Sequence, residues 1–462
     1  MQTEKVLSLP LGNQLLYASG SAAFTMLERL ILLYMPFYYL PPAEYNLPGL
    51  IPDQTYLGLF TALGVALLIG RLFDGFADPI IASLSDNSRS SLGRRKLFLV
   101  LGALPLAVST VLVFSPPVLN SLSLLNSLWL GFIMVLFYIS FTSYVNPYLA
   151  LLPELGHDNS LRINLSTMIA FFGLIGMVMV TVLFSLLTDN LQNSGFEMRQ
   201  AYRYGVILFA SISVILLYAA TFGFNEKIHC LPAEKQRLGT WQSLRQTFAI
   251  RAFRIFLCGE MFLQFAMNLV TLSLIYYAVV LFRQEERFIT VLAGLTIGGA
   301  LLCFPLVNNV AKKTGKKKVI TTGVLSLFFS GTVIFLLSFY STEGIYFYMS
   351  LAMFVLAGFP LAVLTILINP TIADLARADY NKTGQRREAM FFGARAIPLK
   401  LTIALAGVVF AFLISTFGRD IAQSLGVQLS ALVVAIAALG SYFCFRKYPE
   451  KQVLAQLHEE SL

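Results

Sequence analysis

The chain has 462 residues, of which 57% are hydrophobic and only 12% are charged. Soluble domains are about a quarter charged, so this composition excludes a soluble enzyme and indicates a polytopic membrane protein. The net charge of +9 does not indicate a nucleic-acid partner, because the lysines and arginines lie mainly in short loops between apolar runs.

Apolar runs of about 20 residues predict twelve transmembrane helices. Their predicted bounds are 14–40, 56–83, 97–116, 124–152, 163–188, 201–224, 251–282, 288–309, 319–340, 345–372, 390–416 and 425–446. The fold class is therefore an all-α membrane protein with two six-helix bundles. We expect an N-terminal bundle at 1–224, a cytoplasmic linker at 225–250, and a C-terminal bundle with a short tail at 251–462.

Two internal similarities indicate related halves. Asn146-Pro147 and Asn369-Pro370, predicted to close the fourth and tenth spans, are separated by about half the chain. Nearly the same offset brings Gly93-Arg94-Arg95 onto the region of Gly315-Lys316-Lys317. Parallel halves of this kind predict transport by alternating access, with a site near the midplane.

The loops that follow even-numbered spans are rich in lysine and arginine, whereas the loop at 41–55 has neither. Because positive charge accumulates in cytoplasmic loops, both termini are predicted to be cytoplasmic in a multi-pass protein of the plasma (inner) membrane. The basic loop residues are Arg89, Arg94, Arg95, Lys96, Lys227, Lys235, Arg237, Arg245, Lys312, Lys313, Lys316, Lys317, Lys318, Arg377, Lys382, Arg386, Arg387, Arg446 and Lys447.

The second span contains three charged residues on one helical stripe, Arg71, Asp74 and Asp78, with the two carboxylates one turn apart. Charges at membrane depth are costly and usually serve ions or protons. We therefore predict a cation site at Asp74 and Asp78, to which the hydroxyl of Thr142 also contributes. The alternatives are that the acids only pair with bases between helices, and that Thr142 is an ordinary helix hydroxyl.

The first and eleventh spans also carry charges. Glu28 and Arg29 are predicted to contact substrate or protons, or to brace helices, for example through a pair between Glu28 and Lys400. At its depth, Lys400 needs an anionic partner, a substrate or a lowered pKa, and Asp74 and Asp78 are the expected partners. Lys400 and Arg71 are therefore the predicted coupling residues.

The remaining polar residues give two further predicted groups. Gln264 and Asn268 share a stripe and either line the cavity or join helices. The residues predicted to contact substrate are Glu28, Arg29, Thr25, Asn146, Tyr148, Gln264 and Asn268. Asp86, Arg94, Arg95 and Arg395 are predicted to form a cytoplasmic gate.

No catalytic constellation is visible in the sequence. The three histidines, His157, His229 and His458, fall in predicted loops or the tail, and no cysteine belongs to a metal-binding motif. We expect no disulfides, no enzymatic activity, and no cofactor other than Na⁺ or H⁺ as the coupling ion.

Four stretches resemble one transporter family. They are Arg71-Leu-Phe-Asp-Gly-Phe-Ala-Asp-Pro79, Ser85-Asp86 with Gly93-Arg94-Arg95, Asn146-Pro-Tyr-Leu-Ala-Leu-Leu-Pro-Glu154, and Thr383-Gly-Gln-Arg-Arg-Glu388 followed by Lys400. The chain thereby resembles the glycoside–pentoside–hexuronide:cation symporters, the melibiose-carrier-like branch of the major facilitator superfamily. The resemblance implies that Asp74, Asp78 and Thr142 are cation ligands and that Lys400 is the family's lysine of the eleventh helix.

The departures concern the ion and the solute. Sodium-using melibiose carriers have an asparagine where this chain has Ala77, which leaves protons open. The family's sugar-binding acids correspond to Thr25 and Val145, its aromatic platform to Leu149, and its arginine of the fifth helix to Ala170. The resemblance therefore does not extend to the galactoside site.

These observations predict a monomeric symporter that couples Na⁺ or H⁺ to a small sugar- or glycoside-like solute. The first alternative is a lysophospholipid-like amphiphile, since animal lysophospholipid symporters share the carboxylate pair and the lysine. The second is a non-transporting membrane sensor. The expected partners are the solute and membrane lipid.

Overall fold

The computed structural model describes residues 9–55, 58–155, 159–230, 240–340, 344–383 and 388–458. Within these ranges, every regular element is a helix. His157, residues 231–239 of the predicted linker, and residues 384–387 of the stretch that begins at Thr383 lie outside the described residues.

The chain divides into two compact units. Unit 1 comprises Met1–Tyr56 and Phe60–Lys235, and unit 2 comprises Leu57–Leu59 and Gln236–Leu462. The predicted domain boundaries at 224 and 251 stay predictions.

The helices of unit 1 follow the apolar runs of the sequence. They are α1 (Leu11–Tyr39), α2 (Ala62–Asn87), α3 (Lys96–Val113), α4 (Leu124–Leu155), α5 (Asn159–Val178), α6 (Ser185–Asn193), α7 (Met198–Phe222) and the short α8 (Glu226–His229). A π-helical turn, Met179–Phe184, joins α5 to α6, so that the two form one span.

Unit 2 has a corresponding set of long helices. They are α9 (Thr240–Ala249), α10 (Arg251–Tyr276), α11 (Ile289–Thr314), α12 (Lys316–Leu337), α13 (Ile345–Ile366), α14 (Ile368–Thr383), α15 (Glu388–Thr416), α16 (Leu425–Lys447) and α17 (Glu450–His458). The tenth span, Ile345–Thr383, includes both α13 and α14 and is longer than the predicted 345–372.

Eleven helices in the described ranges are long and apolar enough to cross a membrane. The second predicted span, α2, has 26 residues but is not one of these eleven helices. Every window of 18 residues within it includes three charged residues, Arg71, Asp74 and Asp78, which lower its apolar character. With α2, the described helices account for all twelve predicted spans, and the predicted twelve-helix fold is confirmed.

Two proline predictions need correction. Asn146-Pro147 was expected to close the fourth span, but α4 continues through Pro147 to Leu155. Pro370 lies in the first turn of α14, where a missing backbone N–H costs little. Neighbouring helices satisfy the groups that an interior proline leaves without a partner, so membrane helices tolerate such prolines.

The packing of unit 1 places α2 against α4, and α1 against α5 and α7. Gly70 permits the close approach of α2 and α4, because a Cβ at this position would lie 2.7 Å from the ring of Tyr138. This contact is one residue before Arg71. The charged stripe of α2 is therefore held against α4, where the predicted ligand Thr142 lies.

Candidate functional site

The predicted cation ligands Asp74 and Thr142 are in contact. The Thr142 hydroxyl donates a hydrogen bond of 2.5 Å to Oδ1 of Asp74, and each residue is only 1% exposed. One turn further along α2, Oδ1 of Asp78 accepts a hydrogen bond of 2.8 Å from Nδ2 of Asn146. Each carboxylate of the pair is thus held by a polar side chain of α4.

Arg71 joins this pair to α1. Its Nη2 lies 2.9 Å from Oε1 of Glu28, and its Nη1 lies 3.4 Å from Oδ2 of Asp74. The guanidinium carbon lies 4.4 Å from the ring centre of Tyr138, which adds a cation–π contact. Glu28 therefore pairs with Arg71 of its own unit, and the pair of Glu28 with Lys400 stays a prediction.

We call Glu28, Arg29, Arg71, Asp74 and Asp78 the acidic cluster. Its three carboxylates outnumber its two guanidinium groups by one when all five groups are ionised. Arg29 Nε is buried without a hydrogen-bond partner among the described residues.

Two other residues predicted to contact substrate pack between helices of unit 1. Tyr148 is fully buried, donates a hydrogen bond of 2.8 Å to the carbonyl of Tyr17, and stacks on its ring at 4.5 Å. Thr25 is half-buried and faces Gly173 of α5. Asn146, as described, holds Asp78. This geometry gives no separate support for substrate contact by Tyr148, and that role stays a prediction.

The predicted residues of unit 2 are described on their own. Asn268 Nδ2 donates a hydrogen bond of 2.8 Å to the carbonyl of Gln264, and both side chains are half-buried on one face of α10. Lys400 is half-buried on α15. Its predicted coupling role stays a prediction.

Arg395 of α15 forms a buried pair that the sequence did not reveal. Its Nη2 lies 2.5 Å from Oε1 of Glu260 on α10, which is completely buried, and its Nη1 donates to Oδ1 of Asn369 at 2.8 Å. Arg395 therefore joins α10, α14 and α15. Its predicted role in a gate stays a prediction.

A second charged group lies at the end of α2 and α4. Arg95 contacts Asp86 at 2.9 Å and Glu154 at 3.0 Å, and Arg94 forms an ion pair with Glu154. Glu226, which the sequence analysis did not single out, accepts the backbone N–H of Lys96 at 2.9 Å. Asp86, Arg94 and Arg95 therefore belong to one network of ion pairs within unit 1, and their role in a gate stays a prediction.

Burial raises the pKa values of two groups in and beside this network, Glu154 and Cys230. Burial raises the pKa of Glu154 above its ordinary value, and Arg95 and Arg94 act in the opposite direction. Burial, with the nearby charges of Glu154 and Glu226, raises the pKa of Cys230 to about 12.

Unit 2 contains a contact like that between Glu226 and the backbone N–H of Lys96 in unit 1. Glu450 accepts the backbone N–H of Lys317 at 2.9 Å, and the Lys317 ammonium donates to the carbonyl of Tyr448 at 2.8 Å. In unit 1, the Lys96 ammonium likewise donates to the carbonyl of Phe224 at 2.8 Å. The signal that could have revealed Glu226 is this repeat: an acid two residues after an aromatic residue, just beyond the last span of each half.

The fold resembles solved transporters. The crystal structure of the nucleoside transporter NupG superposes with a TM-score of 0.64 at 11% sequence identity, covering 95% of this chain and all of that one. The described helices therefore have the fold of this solved membrane protein, the major facilitator fold.

The chain belongs to the family described as MFS/sugar transport protein, which matches residues 16–445. The inner membrane symporter YicJ of Escherichia coli (strain K12) is 24% identical over 433 residues, covering 92% of this chain and 86% of that protein. The glucuronide carrier protein homolog of the same organism is 24% identical over 366 residues, covering 77% and 76%. The resemblance to cation symporters of glycosides, pentosides and hexuronides is confirmed.

Proposed function

We propose that this symporter couples the entry of one Na⁺ or H⁺ to the uptake of a sugar- or glycoside-like solute by alternating access. The observation that carries the proposal is the pair of carboxylates, Asp74 and Asp78, which lie one turn apart on α2 and are each held by a polar side chain of α4. A cation is proposed to bind at this pair. Thr142 is positioned to add its hydroxyl oxygen, because its proton is already directed to Asp74.

Arg29 bears on the class of solute. Its Nε is buried without a hydrogen-bond partner among the described residues, whereas the neighbouring Glu28 is paired with Arg71. A buried guanidinium favours a carboxylate, which it binds through two parallel hydrogen bonds. A glycoside with a carboxylate would satisfy Arg29, and one curated relative is named a glucuronide carrier homolog.

The orientation of the chain in the membrane and the membrane potential together give the proposed direction of transport, into the cytoplasm. The basic loops are proposed to be cytoplasmic, which places the network of Asp86, Arg94 and Arg95 at the cytoplasmic end of unit 1. Each positive charge that enters gains about 2.3 kcal/mol per 100 mV of membrane potential. Cation entry can therefore drive accumulation of the solute.

The test is uptake by the purified full-length protein reconstituted in lipid vesicles. Sodium and proton gradients are imposed separately, and accumulation is measured for a panel of neutral glycosides, glucuronides and lysophospholipids. We expect one gradient to drive concentrative uptake of a glycoside or a glucuronide. Accumulation that depends on neither gradient would contradict symport, and accumulation of lysophospholipids alone would contradict the sugar assignment.

Asp78→Asn tests the proposed cation site directly, because it changes the charge of the side chain and little else. The asparagine preserves the size of the side chain and the oxygen that accepts from Asn146, but it removes the charge. We expect the variant to remain folded and to lose concentrative uptake, while exchange of solute across the vesicle membrane persists. Normal accumulation by this variant would rule out a cation site at Asp78.

A further inference from the structure

Unit 2 contains a long apolar groove between α11, α12 and α13. Its volume is about 690 Å³, and carbon-rich side chains line nearly all of it. One stripe of α11, from Gly299 to Thr314, forms one wall, and Val319 of α12 and Phe359 of α13 form the others. We call this cavity the apolar groove.

A second cavity of about 520 Å³ lies at the turn between α11 and α12, beside the end of α16 and the start of α17. It is lined by four basic residues and one acid: Lys317, Lys318, Arg446, Lys451 and Glu450. We call it the basic pocket. Thr314 and Lys318 line both cavities, so the basic pocket adjoins one end of the apolar groove.

The charges of the basic pocket are only partly satisfied. The Lys317 ammonium donates to the carbonyl of Tyr448, and the carboxylate of Glu450 accepts the backbone N–H of Lys317. Lys318, Arg446 and Lys451 form no ion pair within the described part of the chain. The pocket therefore carries an excess of positive charge and attracts an anion, and an arginine beside a lysine suits a phosphate.

We propose that the two cavities together bind one anionic phospholipid of the membrane. Its phosphate would contact Lys318 and Arg446, and an acyl chain would lie in the apolar groove. From Gly299 to Thr314, α11 rises about 22 Å, at about 1.5 Å per residue. This length accommodates a chain that crosses one leaflet, which is about 15 Å deep in a bilayer core of about 30 Å.

The same features exclude the transported sugar as the occupant. A sugar in the apolar groove would lose hydrogen bonds to water without gaining partners, which is unfavourable. The hydroxyls of Thr314 and Thr322 do not change this, because each donates to a carbonyl of its own helix. The proposal concerns a resident lipid and is independent of the proposed solute and coupling ion.

Native mass spectrometry of the purified full-length protein tests the proposal. The protein is titrated with phosphatidylglycerol and, separately, with phosphatidylcholine that has the same acyl chains. We expect the first phosphatidylglycerol to bind at least several-fold more tightly. The double variant Lys318→Gln/Arg446→Gln should weaken phosphatidylglycerol binding by roughly tenfold or more, since each basic residue near a lipid phosphate contributes about a fivefold factor.

Two single variants complete the experiment. Lys312→Gln removes one charge from the same end of α11, but Lys312 lines neither cavity and should leave binding unchanged. Ala352→Trp places a large side chain in the apolar groove and should weaken the binding of both lipids. Gel filtration checks that this variant remains monodisperse. Equal affinity for the two lipids, an equal loss with Lys312→Gln, or undiminished binding by monodisperse Ala352→Trp would each overturn the proposal.

Discussion

Replacement of Thr142 by valine removes one hydroxyl from the proposed cation site while preserving the shape of the side chain. The Thr142 hydroxyl donates to Asp74 at 2.5 Å, and both residues are 1% exposed, so water cannot replace the lost donor easily. A hydrogen bond to a charged group contributes about 1.5–3 kcal/mol. Because about 1.4 kcal/mol equals a factor of ten, the expected change in cation affinity is about 10- to 100-fold.

The observable change depends on the coupling ion. If protons drive uptake, Thr142→Val should alter the proton concentration that gives half-maximal uptake, because Asp74 loses a hydrogen-bond donor. If sodium drives uptake, the variant loses an oxygen ligand and should need about 10- to 100-fold more sodium.

Initial rates of gradient-driven uptake in vesicles, measured against pH and against sodium concentration, give the result. Thr142→Ser keeps the hydroxyl and serves as the matched control, with activation close to that of the unaltered protein. Unchanged activation by both ions in Thr142→Val would refute the assignment of Thr142 to the cation site. Equal impairment of the serine and valine variants would show that shape, and not the hydroxyl, is required.

Three further predictions follow from unit 1. In a vesicle assay, Arg29→Gln should weaken uptake of a glucuronide at least tenfold more than it weakens uptake of a neutral glycoside, because only the charged solute uses the guanidinium; an equal effect on both solutes would contradict this. Glu226→Gln should lower the free energy of unfolding by about 2 kcal/mol, because the buried carboxylate accepts hydrogen bonds from the backbone N–H groups of Arg95 and Lys96. Equal melting temperatures of the variant and the unaltered protein would contradict this. In a variant that keeps Cys230 as its single cysteine, the pKa of about 12 means that little thiolate exists at pH 8. Maleimide should therefore react slowly with this thiol, and the reaction rate should keep rising above pH 9. A reaction rate that levels off near pH 9 would contradict the raised pKa.

The charged stripe of α2 was predictable because its signal is local. Asp74 and Asp78 are one turn apart on a single helix, and charges within an apolar span need few assumptions to interpret. The twelve spans were predictable for the same reason, since hydrophobicity is read within one segment. The bounds of α2 were less accurate, because Thr61 begins the helix by accepting the N–H of Gly64, a capping contact that average hydrophobicity does not register.

The partners of the charges could not be predicted in the same way. Arg71 binds Glu28, 43 positions earlier in the chain, and Arg95 binds Glu154, 59 positions later. Such pairs depend on which helix faces pack together, and helical periodicity within one segment does not contain that information. The pairing of Arg395 with Glu260 is a further case, since these residues are 135 positions apart.

Ala77 and Asn146 both bear on the surroundings of the second acid of the pair, Asp78. Sodium-using melibiose carriers place an asparagine beside the second acid of the pair, and the alanine of this chain removes it from α2. In the structure, however, Asn146 of α4 approaches the same acid and donates to Oδ1 of Asp78 at 2.8 Å. A carboxamide that donates through its nitrogen retains a carbonyl oxygen, the type of ligand that hard cations prefer. Because Asn146 belongs to a stretch that this chain shares with the family, its amide does not replace the asparagine absent at position 77, and uptake driven separately by sodium and proton gradients distinguishes the two ions.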